Sequence, residues 1–299
     1  MLTTYCGFIN VLKPPGMSSA QVVGKIRYLL KGAKVGHAGT LDPEACGVLP
    51  IMIGKATRLF DYMQQKEKGY ITEIAFGFST TTQDAQGEIC ETSTNYPSEQ
   101  SVKDALNSFK GAIWQVPPMV SAIKKDGQPL YNLARQGISL DLPPRQVHVH
   151  ALNYLGTMPK EGHRLSISCS KGFYVRTLCH DLGKALNCPA HLRFLLRTKS
   201  GVFTLDNAYT LLEIEEAITN NMLSSILSPP EIVIDYMQKI TVPSSHVFSF
   251  SNGGKLPLHL FPELSPLQEN ENVSIWLKNR LVAIGELKQD TIKTKTWLG

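Results

Sequence analysis

The chain has 299 residues, of which 42% are hydrophobic, and a formal net charge of +5 at pH 7. Its length and composition are typical of a globular protein with one large domain, one small domain and a well-filled core. No apolar run reaches the length of a membrane-spanning helix, and six dispersed cysteines without a C-x-x-C pair argue against a disulfide framework or a paired zinc site. We therefore expect a cytoplasmic protein that does not associate with a membrane.

The first half of the chain alternates apolar segments with turns rich in glycine and proline. Ser18 can cap a helix, and Gln21 follows at the position that completes a capping box. Residues 70–78 alternate in the manner of a strand with one apolar face. In chain order, the predicted elements are a strand (8–12), a helix (18–30), an irregular loop (36–50), a strand (48–53), a helix (56–63), a strand (70–78), a polar loop (80–87) and a helix (98–109).

The pattern of apolar segments in the second half of the chain changes near residue 238. Because the apolar segments after that point are short, we predict a large domain over residues 1–238 and a small β-rich domain over 239–299. Residues 160–199 hold eight Lys or Arg against two acidic residues, so positive charge is concentrated there. The predicted elements are a proline-rich segment with a short helix (115–137), two strands (147–155 and 163–170), a helix (174–186), an acidic helix (205–220), a strand (246–250) and a hairpin (273–287).

Residues 36–50, GHAGTLDPEACGVLP, are too irregular for a regular helix or strand. Glycine opens backbone angles that other residues avoid and proline fixes its own, so this composition predicts a specifically shaped loop, which often serves a site. Asp42 stands out because Pro43 fixes the backbone just after it. Such an aspartate can also be a turn residue that binds its own backbone. The motifs of common hydrolases, metalloenzymes and nucleotide-binding proteins are absent, which leaves a single framed carboxylate.

The same stretch resembles the motif around the catalytic aspartate of the TruB-type pseudouridine synthases. Five further segments resemble motifs of that family, in the same order, over most of the first 200 residues. Leu12 and Leu196 depart from the family pattern, and the last 60 residues match it only loosely. The five segments are KPPGMSS (13–19), KGY (68–70), the G-x-x-T-x-T-x-D-x-x-G loop (77–87), QVPPMVSAIKKDGQPLYNLAR (115–135) and KGFYVRT followed by DLG (171–183).

The resemblance implies an α+β pseudouridine synthase fold, in which helices flank a mixed, largely antiparallel sheet, plus a small C-terminal β-rich PUA-like RNA-binding domain. It implies an isomerase that converts uridine to pseudouridine at position 55 in the T-loop of tRNA. The reaction would need no cofactor and no metal. The T-arm of tRNA would be the partner, with no protein partner required and the enzyme acting as a monomer. Two alternatives stay open: a guide-dependent modifier of ribosomal RNA, and a non-catalytic module that binds or folds tRNA.

The resemblance also implies roles for single residues. Asp42 would act on the ribose C1′, either as a nucleophile or through a glycal intermediate, and Arg176 would pair with it and hold it ionised. Tyr70 would stack on the target base and take part in the final proton removal. Without the shared motifs, Tyr70 would be interpreted as a core tyrosine and Arg176 as part of a structural or surface ion pair.

Further positions would contact the RNA. His37 would fill the space that the flipped uridine leaves, while Tyr174 and Leu195 would contact the substrate. By pattern alone, a basic segment is more often a solvated surface and Leu195 a core residue. A wider set would hold the RNA backbone: Lys13, Asp84, Lys171, Lys184, Arg193 and Arg197.

Overall fold

The computed structural model of the chain describes residues 5–64, 66–121, 123–125, 128–130, 133, 136–138 and 140–299. The helix predicted around Tyr131 and Arg135 lies outside the described residues. The α-helices are α1 (Ser19–Leu29), α2 (Phe60–Gln64), α3 (Glu99–Ala105), α4 (Val175–Ala185), α5 (Leu211–Thr219), α6 (Leu223–Ile226) and α7 (Val247–Ser251). Short 3-10 helices lie at Gly54–Leu59, Leu106–Phe109, Leu205–Asn207, Pro230–Val233, Ser244–His246 and Leu258–Leu260.

The strands fall into two larger sheets and two short hairpins. In chain order they are β1 (Gly7–Lys13), β2 (Val35–His37), β3 (Cys46–Ile53), β4 (Lys68–Phe76), β5 (Phe78–Thr80), β6 (Ile89–Thr92), β7 (Gly111–Gln115), β8 (Lys124–Lys125), β9 (Gln128–Pro129), β10 (Arg145–Met158), β11 (Gly162–Cys169), β12 (Ala190–Ser200), β13 (Phe203–Thr204), β14 (Lys239–Thr241), β15 (Leu256–Pro257), β16 (Asn272–Leu277), β17 (Arg280–Lys288) and β18 (Thr291–Trp297).

The main sheet has nine strands among the described residues. Its order is β1-β3-β12-β4-β11-β10-β7, with β2 paired to β3 and β13 paired to β12. Strands β3 and β12 run parallel, with Leu196 opposite Cys46, and the other neighbouring pairs are antiparallel. This mixed, largely antiparallel sheet with its helices confirms the predicted α+β class.

The predicted start of α1 is confirmed in detail. The Ser18 N–H donates to Gln21 Oε1 at 2.7 Å, and the Gln21 N–H donates to Ser18 Oγ at 3.2 Å, which completes the capping box. One continuous buried cluster then joins α1 and α4 to the main sheet, with Ile26, Leu178 and Ile74 among its members. The two helices are therefore held against the sheet that carries the site.

The irregular loop is narrower than predicted. Both its ends are strands, because residues 35–37 pair with 51–53 as β2 and β3. Residues 38–45 remain irregular, and we call them the aspartate loop. The shorter loop is anchored on both sides by one sheet, which restrains where its side chains lie.

Strand β12 lies in the middle of the main sheet although no strand was predicted there. Its pairing with β4 shifts register between Leu192 and Phe194, and again between Arg197 and Lys199. Such bulges break the alternation of buried and exposed side chains on which the prediction of β4 relied. The basic residues of β12 also favoured a solvated segment.

The predicted strand at residues 246–250 is wrong. This segment contains α7, in which Phe250 is 2% exposed and Phe248 is 83% exposed. Five residues with two aromatic side chains fit one helical turn as well as a short strand. The hairpin predicted over 273–287 is confirmed by β16 and β17, which pair antiparallel.

The C-terminal region is β-rich, as predicted. Its five-stranded sheet has the order β14-β16-β17-β18-β15 among the described residues. Leu281 and Ile284 from this sheet share a buried cluster with Met52 and Ile234, so the sheet packs directly against the earlier part of the chain. None of the helices in the described ranges has the length and apolar character that crossing a membrane requires.

Candidate active site

The aspartate loop is held in place by residues at the end of β1 and at the start of α1. Lys13 Nζ donates to the carbonyl of Pro43 at 2.8 Å. Ser19 Oγ accepts from the Leu41 N–H at 2.9 Å and donates to the Leu41 carbonyl at 3.0 Å. The residues on both sides of the aspartate are therefore fixed by the first motif, KPPGMSS, which explains why the two motifs occur together.

Gly47 allows the end of this loop to approach β12. Its φ is +106°, and a Cβ placed on it would lie 2.2 Å from the carbonyl oxygen of Arg197. Any side chain would force β3 and β12 apart at their parallel contact. Gly47 therefore allows β3, which follows the aspartate loop, to lie close to β12 at Arg197.

Asp42 and Arg176 form a two-point ion pair. Arg176 Nε lies 3.0 Å from Asp42 Oδ2, and Nη2 lies 3.3 Å from Oδ1. This geometry fixes the orientation of the carboxylate as well as favouring its charge. The Arg176 side chain is 5% exposed and that of Asp42 is 38% exposed. The carboxylate is therefore open to a substrate, while the guanidinium lies behind it.

Arg176 is itself fixed by the polar loop and by the segment after β7. Its Nη2 donates to the Val120 carbonyl at 2.7 Å, and its Nη1 donates to the Thr82 carbonyl at 3.2 Å. Asp84 Oδ2 lies 3.7 Å from Nη1. Asp84 also accepts from Thr82 Oγ1 at 2.6 Å. This carboxylate therefore supports the arginine and its own loop, and the prediction that Asp84 holds RNA is not what its contacts indicate.

Desolvation raises the pKa of the Asp42 carboxyl above its ordinary value of 3.8, and the nearby Asp84 carboxylate acts in the same direction. Arg176 and Lys13 oppose this shift. The resemblance implies that Asp42 acts in its charged form, so we expect activity to be lost as the pH falls through the raised pKa. We expect turnover, measured under single-turnover conditions across the acidic range, to decline at a pH above 3.8. A decline that begins only below that value, with the chain still folded, would contradict this assignment.

A cleft of about 390 Å³ joins most of the predicted site residues. It lies beside the aspartate loop, β4, β12 and the first turn of α4. The apolar side chains of Leu195 and Phe173 form part of its wall. The predicted residues that the cleft brings together are His37, Asp42, Tyr70, Lys171, Tyr174, Arg176, Leu195 and Arg197.

Tyr70 enters the cleft from β4. Burial raises the pKa of its phenol to about 12, although the adjacent Arg197 guanidinium acts in the opposite direction. The phenol therefore keeps its proton at neutral pH. The aromatic ring of an uncharged tyrosine on one wall of the cleft is suited to stacking on a planar base.

His37 lies at the end of β2, where the aspartate loop begins. Burial lowers the pKa of its imidazole, and the Arg197 charge lowers it further. Its Nδ1 is buried without a hydrogen-bond partner in the described part of the structure. The neutral imidazole ring lines the cleft, so its face can contact a ligand there.

Tyr174 is the residue that precedes α4. Its N–H donates to Gln115 Oε1 at 2.9 Å, and Gln115 Nε2 donates to its carbonyl at 3.1 Å. Burial raises the pKa of the Tyr174 phenol. Gln115 was not predicted as a site residue, yet this double hydrogen bond fixes where α4 begins and therefore where Arg176 lies.

Two of the residues predicted to bind RNA are buried. Lys13 is 0% exposed and donates to the carbonyls of Pro14 and Pro43, and burial lowers its pKa to about 8. Arg197 is 2% exposed and donates to the carbonyls of Val48 at 2.7 Å, Gly39 at 3.2 Å and Thr40 at 3.3 Å. Neither side chain is placed to bind a phosphate, because backbone carbonyls accept the hydrogen bonds that Lys13 and Arg197 donate.

Arg193 and Lys184 lie outside the cleft. Arg193 pairs with Glu73 at 3.3 Å and donates to the Pro159 carbonyl at 2.8 Å, so it joins neighbouring strands. Lys184 is exposed and lines a separate groove with His180 and Glu91. Of the basic residues predicted to hold RNA, Lys171 is the one that is both exposed and at the cleft.

Arg197 should contribute strongly to stability because it joins β12 to the aspartate loop. Lysine has one nitrogen where arginine uses three, so it cannot reproduce the set of bonds to the Val48, Gly39 and Thr40 carbonyls, and bonds from charged donors contribute about 1.5–3 kcal/mol each. We expect Arg197→Lys to lose about 3 kcal/mol of unfolding free energy in urea denaturation. Arg193→Lys, at a partly exposed ion pair, is the matched control. Equal losses in the two variants would contradict a special role for Arg197.

Lys68 is a cleft residue that the sequence analysis did not single out. It was part of the KGY motif, and the alternation of β4 places it on the same face as Tyr70. That period-two pattern predicts a shared face with Tyr70, but lysines at the start of a strand are usually solvated, so the pattern alone does not predict a lysine in the cleft.

Two family sequence models match the chain. One, the TruB family pseudouridylate synthase N-terminal domain, matches residues 13–175, and the other, the tRNA pseudouridylate synthase B C-terminal domain, matches 176–235. A curated protein named tRNA pseudouridine synthase B from Bacillus licheniformis is 43% identical over 258 residues, 84% of each chain. One of the same name from Moorella thermoacetica is 40% identical over 290 residues, 95% of each chain.

Solved structures share the fold. A chain in the structure of an H/ACA RNP bound to a substrate RNA containing 2′-deoxyuridine matches with a TM-score of 0.74 and 23% identity, over 98% of this chain and 85% of that chain. A chain in a Cbf5-Nop10-Gar1 complex matches with the same TM-score and 25% identity, over 98% and 84%. Fold and relatives together define an isomerase of the pseudouridine synthase class. Within that class, the chain belongs to the TruB family.

Proposed function

We propose that this enzyme converts uridine to pseudouridine at position 55 in the T-loop of tRNA. The observation that carries the proposal is the Asp42–Arg176 pair, whose carboxylate opens into a cleft beside Tyr70. The relatives named tRNA pseudouridine synthase B support tRNA as the substrate. The reaction moves C1′ of the ribose from N1 to C5 of the same base, so no atom is gained or lost.

Asp42 acts on the sugar, as nucleophile at C1′ or through a glycal. The N1–C1′ bond breaks, the base turns within the cleft, and C5 forms the new bond to C1′. Arg176 holds the carboxylate ionised and aimed throughout. The apolar wall that contains Leu195 and Phe173 limits water, which matters because water at C1′ would end the reaction as hydrolysis.

The target uridine must leave its stack before Asp42 can reach the sugar. The neutral His37 ring fills the place that the base vacates, Tyr70 stacks on the base in the cleft, and Tyr174 and Leu195 contact it. Each of these side chains lines the same cleft. We assign residues 1–238 to this catalytic domain and residues 239–299 to a PUA-like domain that binds RNA.

Lys171 should contribute to RNA affinity by charge, since it is exposed at the edge of the cleft. Replacing it with alanine should weaken binding of a tRNA transcript and reduce the slope of log K against log salt by about 1. Lys184→Ala, at an exposed lysine away from the cleft, is the matched control and should change both quantities less. Identical slopes for Lys171→Ala and the unaltered chain would reject the phosphate contact.

Incubation with RNA alone separates the proposal from its alternatives. The purified chain should form pseudouridine at position 55 in an unmodified tRNA transcript and in an isolated T-arm hairpin, without any guide RNA. Product that requires a guide would establish the guide-dependent alternative. Binding of tRNA without any product would establish a non-catalytic module. A transcript with cytidine at position 55 is the matched control and should yield no product.

A further inference from the structure

Lys68 places an amine in the cleft beside the tyrosine. It begins β4, and its side chain lies on the same face of that strand as Tyr70. The Cα atoms of residues two apart in a strand are roughly 7 Å apart. Both residues line the cleft that contains Asp42. The mechanism given above assigns no step to this amine.

The surroundings of Lys68 disfavour its charge. Its Nζ donates to Ser200 Oγ at 2.9 Å, and Ser200 is fully buried. The groups facing it are the Arg197 guanidinium, a like charge, and the Cys169 thiol. Within the described ranges of the chain, no carboxylate forms an ion pair with it. A lysine kept here without a counter-ion suggests a use for its neutral form.

Proton affinities distinguish the two neighbours. Burial, assisted by Arg197, lowers the pKa of Lys68 to about 7, whereas burial raises the pKa of Tyr70 to about 12. Near neutral pH, a large share of Lys68 is therefore free amine while Tyr70 keeps its proton. A general base works best when its pKa is close to the working pH, so the amine is the better acceptor.

We propose that Lys68 is a further catalytic residue, which accepts the proton that leaves C5 of the base after the new bond to C1′ has formed. This rests on the proposed function. The C5–H bond breaks, its electron pair stays in the ring and restores conjugation, and the proton moves to Nζ. N1, which has lost its bond to C1′, gains one proton from the ammonium or from water. The reaction therefore remains an isomerisation with no oxidant or reductant.

Two other roles predict different behaviour. If Lys68 supplied only positive charge, to a phosphate or to the detached base, arginine would replace it. If Lys68 only supported the fold, its replacement would slow every step of the reaction alike. A proton acceptor differs from both, because arginine stays protonated and cannot take up the proton.

The experiment compares two substrates under single-turnover conditions: a tRNA transcript with ordinary uridine, and one with uridine deuterated at C5. Lys68→Met and Lys68→Arg should each slow pseudouridine formation by about 10²–10⁴-fold, the usual contribution of a general base. In both variants proton removal becomes the slow step, so the isotope effect should exceed that of the unaltered chain. Measurements of tRNA binding and thermal unfolding show whether each variant is folded. If Lys68→Met does not fold, Lys68→Arg carries the test.

The outcomes separate the two proposals. If the unaltered chain makes no pseudouridine, the proposed function fails. If it does, but the folded variants show the isotope effect of the unaltered chain, or Lys68→Arg retains full activity, then Lys68 is not the proton acceptor. A slow rate with an increased isotope effect in both variants establishes the assignment.

Discussion

Replacing Asp42 with asparagine should abolish pseudouridine formation while leaving tRNA binding intact. Asparagine keeps the size of the side chain and its place in the aspartate loop, but it carries no charge and is a poor nucleophile. The loss should be on the order of 10⁴-fold or more in kcat, the scale on which nucleophiles act. Binding should persist because the carboxylate is one small part of the RNA-contacting surface.

Glu44→Gln is the matched control for this change. Glu44 lies two residues further along the same loop, is exposed, and is absent from the cleft lining. We expect that variant to retain activity. Single-turnover rates and filter-binding affinities should be measured for both variants side by side. Turnover retained by Asp42→Asn would remove the aspartate from the catalytic role.

Replacing Arg176 with lysine should give the second-largest loss. Lysine keeps a positive charge but cannot contact both carboxylate oxygens and the Val120 carbonyl at once. The carboxylate then loses its fixed orientation, and misplacement of about 1 Å costs about 10²-fold in rate. Weaker pairing also leaves desolvation less opposed, so the acid side of the pH–rate profile should move to higher pH.

The control for Arg176 is Arg164→Lys. Arg164 pairs with Glu73 at 2.7 Å, but its side chain is 40% exposed, and an exposed pair of this kind contributes little. We expect its pH–rate profile to match that of the unaltered chain. An Arg176→Lys profile with the same acid side as the control would show that Arg176 does not hold the charge on Asp42.

The parts of the site that depend on local sequence were predictable. The capping box at Ser18, the framing of Asp42 by proline and the start of α4 all follow from residues close together in the chain. The pairing of Asp42 with Arg176 did not follow from spacing, because 134 positions separate them. That pairing came from the order of the shared motifs, and the two-point contact confirms it.

Burial of charged residues was the main feature that the sequence could not show. Arg193 and Arg197 belong to the basic segment and Lys13 to the first motif, yet backbone carbonyls or Glu73 take up their donors. A count of charges does not distinguish a lysine that faces phosphate from one that faces a carbonyl. Strand β12 was missed for a related reason, since its bulges and its buried arginine hide the alternation by which strands are predicted.

The most direct measurement of the central claim is a map of pseudouridine in one unmodified tRNA transcript after incubation with the purified chain alone. We predict one pseudouridine per tRNA, at position 55, formed without cofactor, metal or guide RNA. The absence of product, or product at another uridine with position 55 unchanged, would contradict the account.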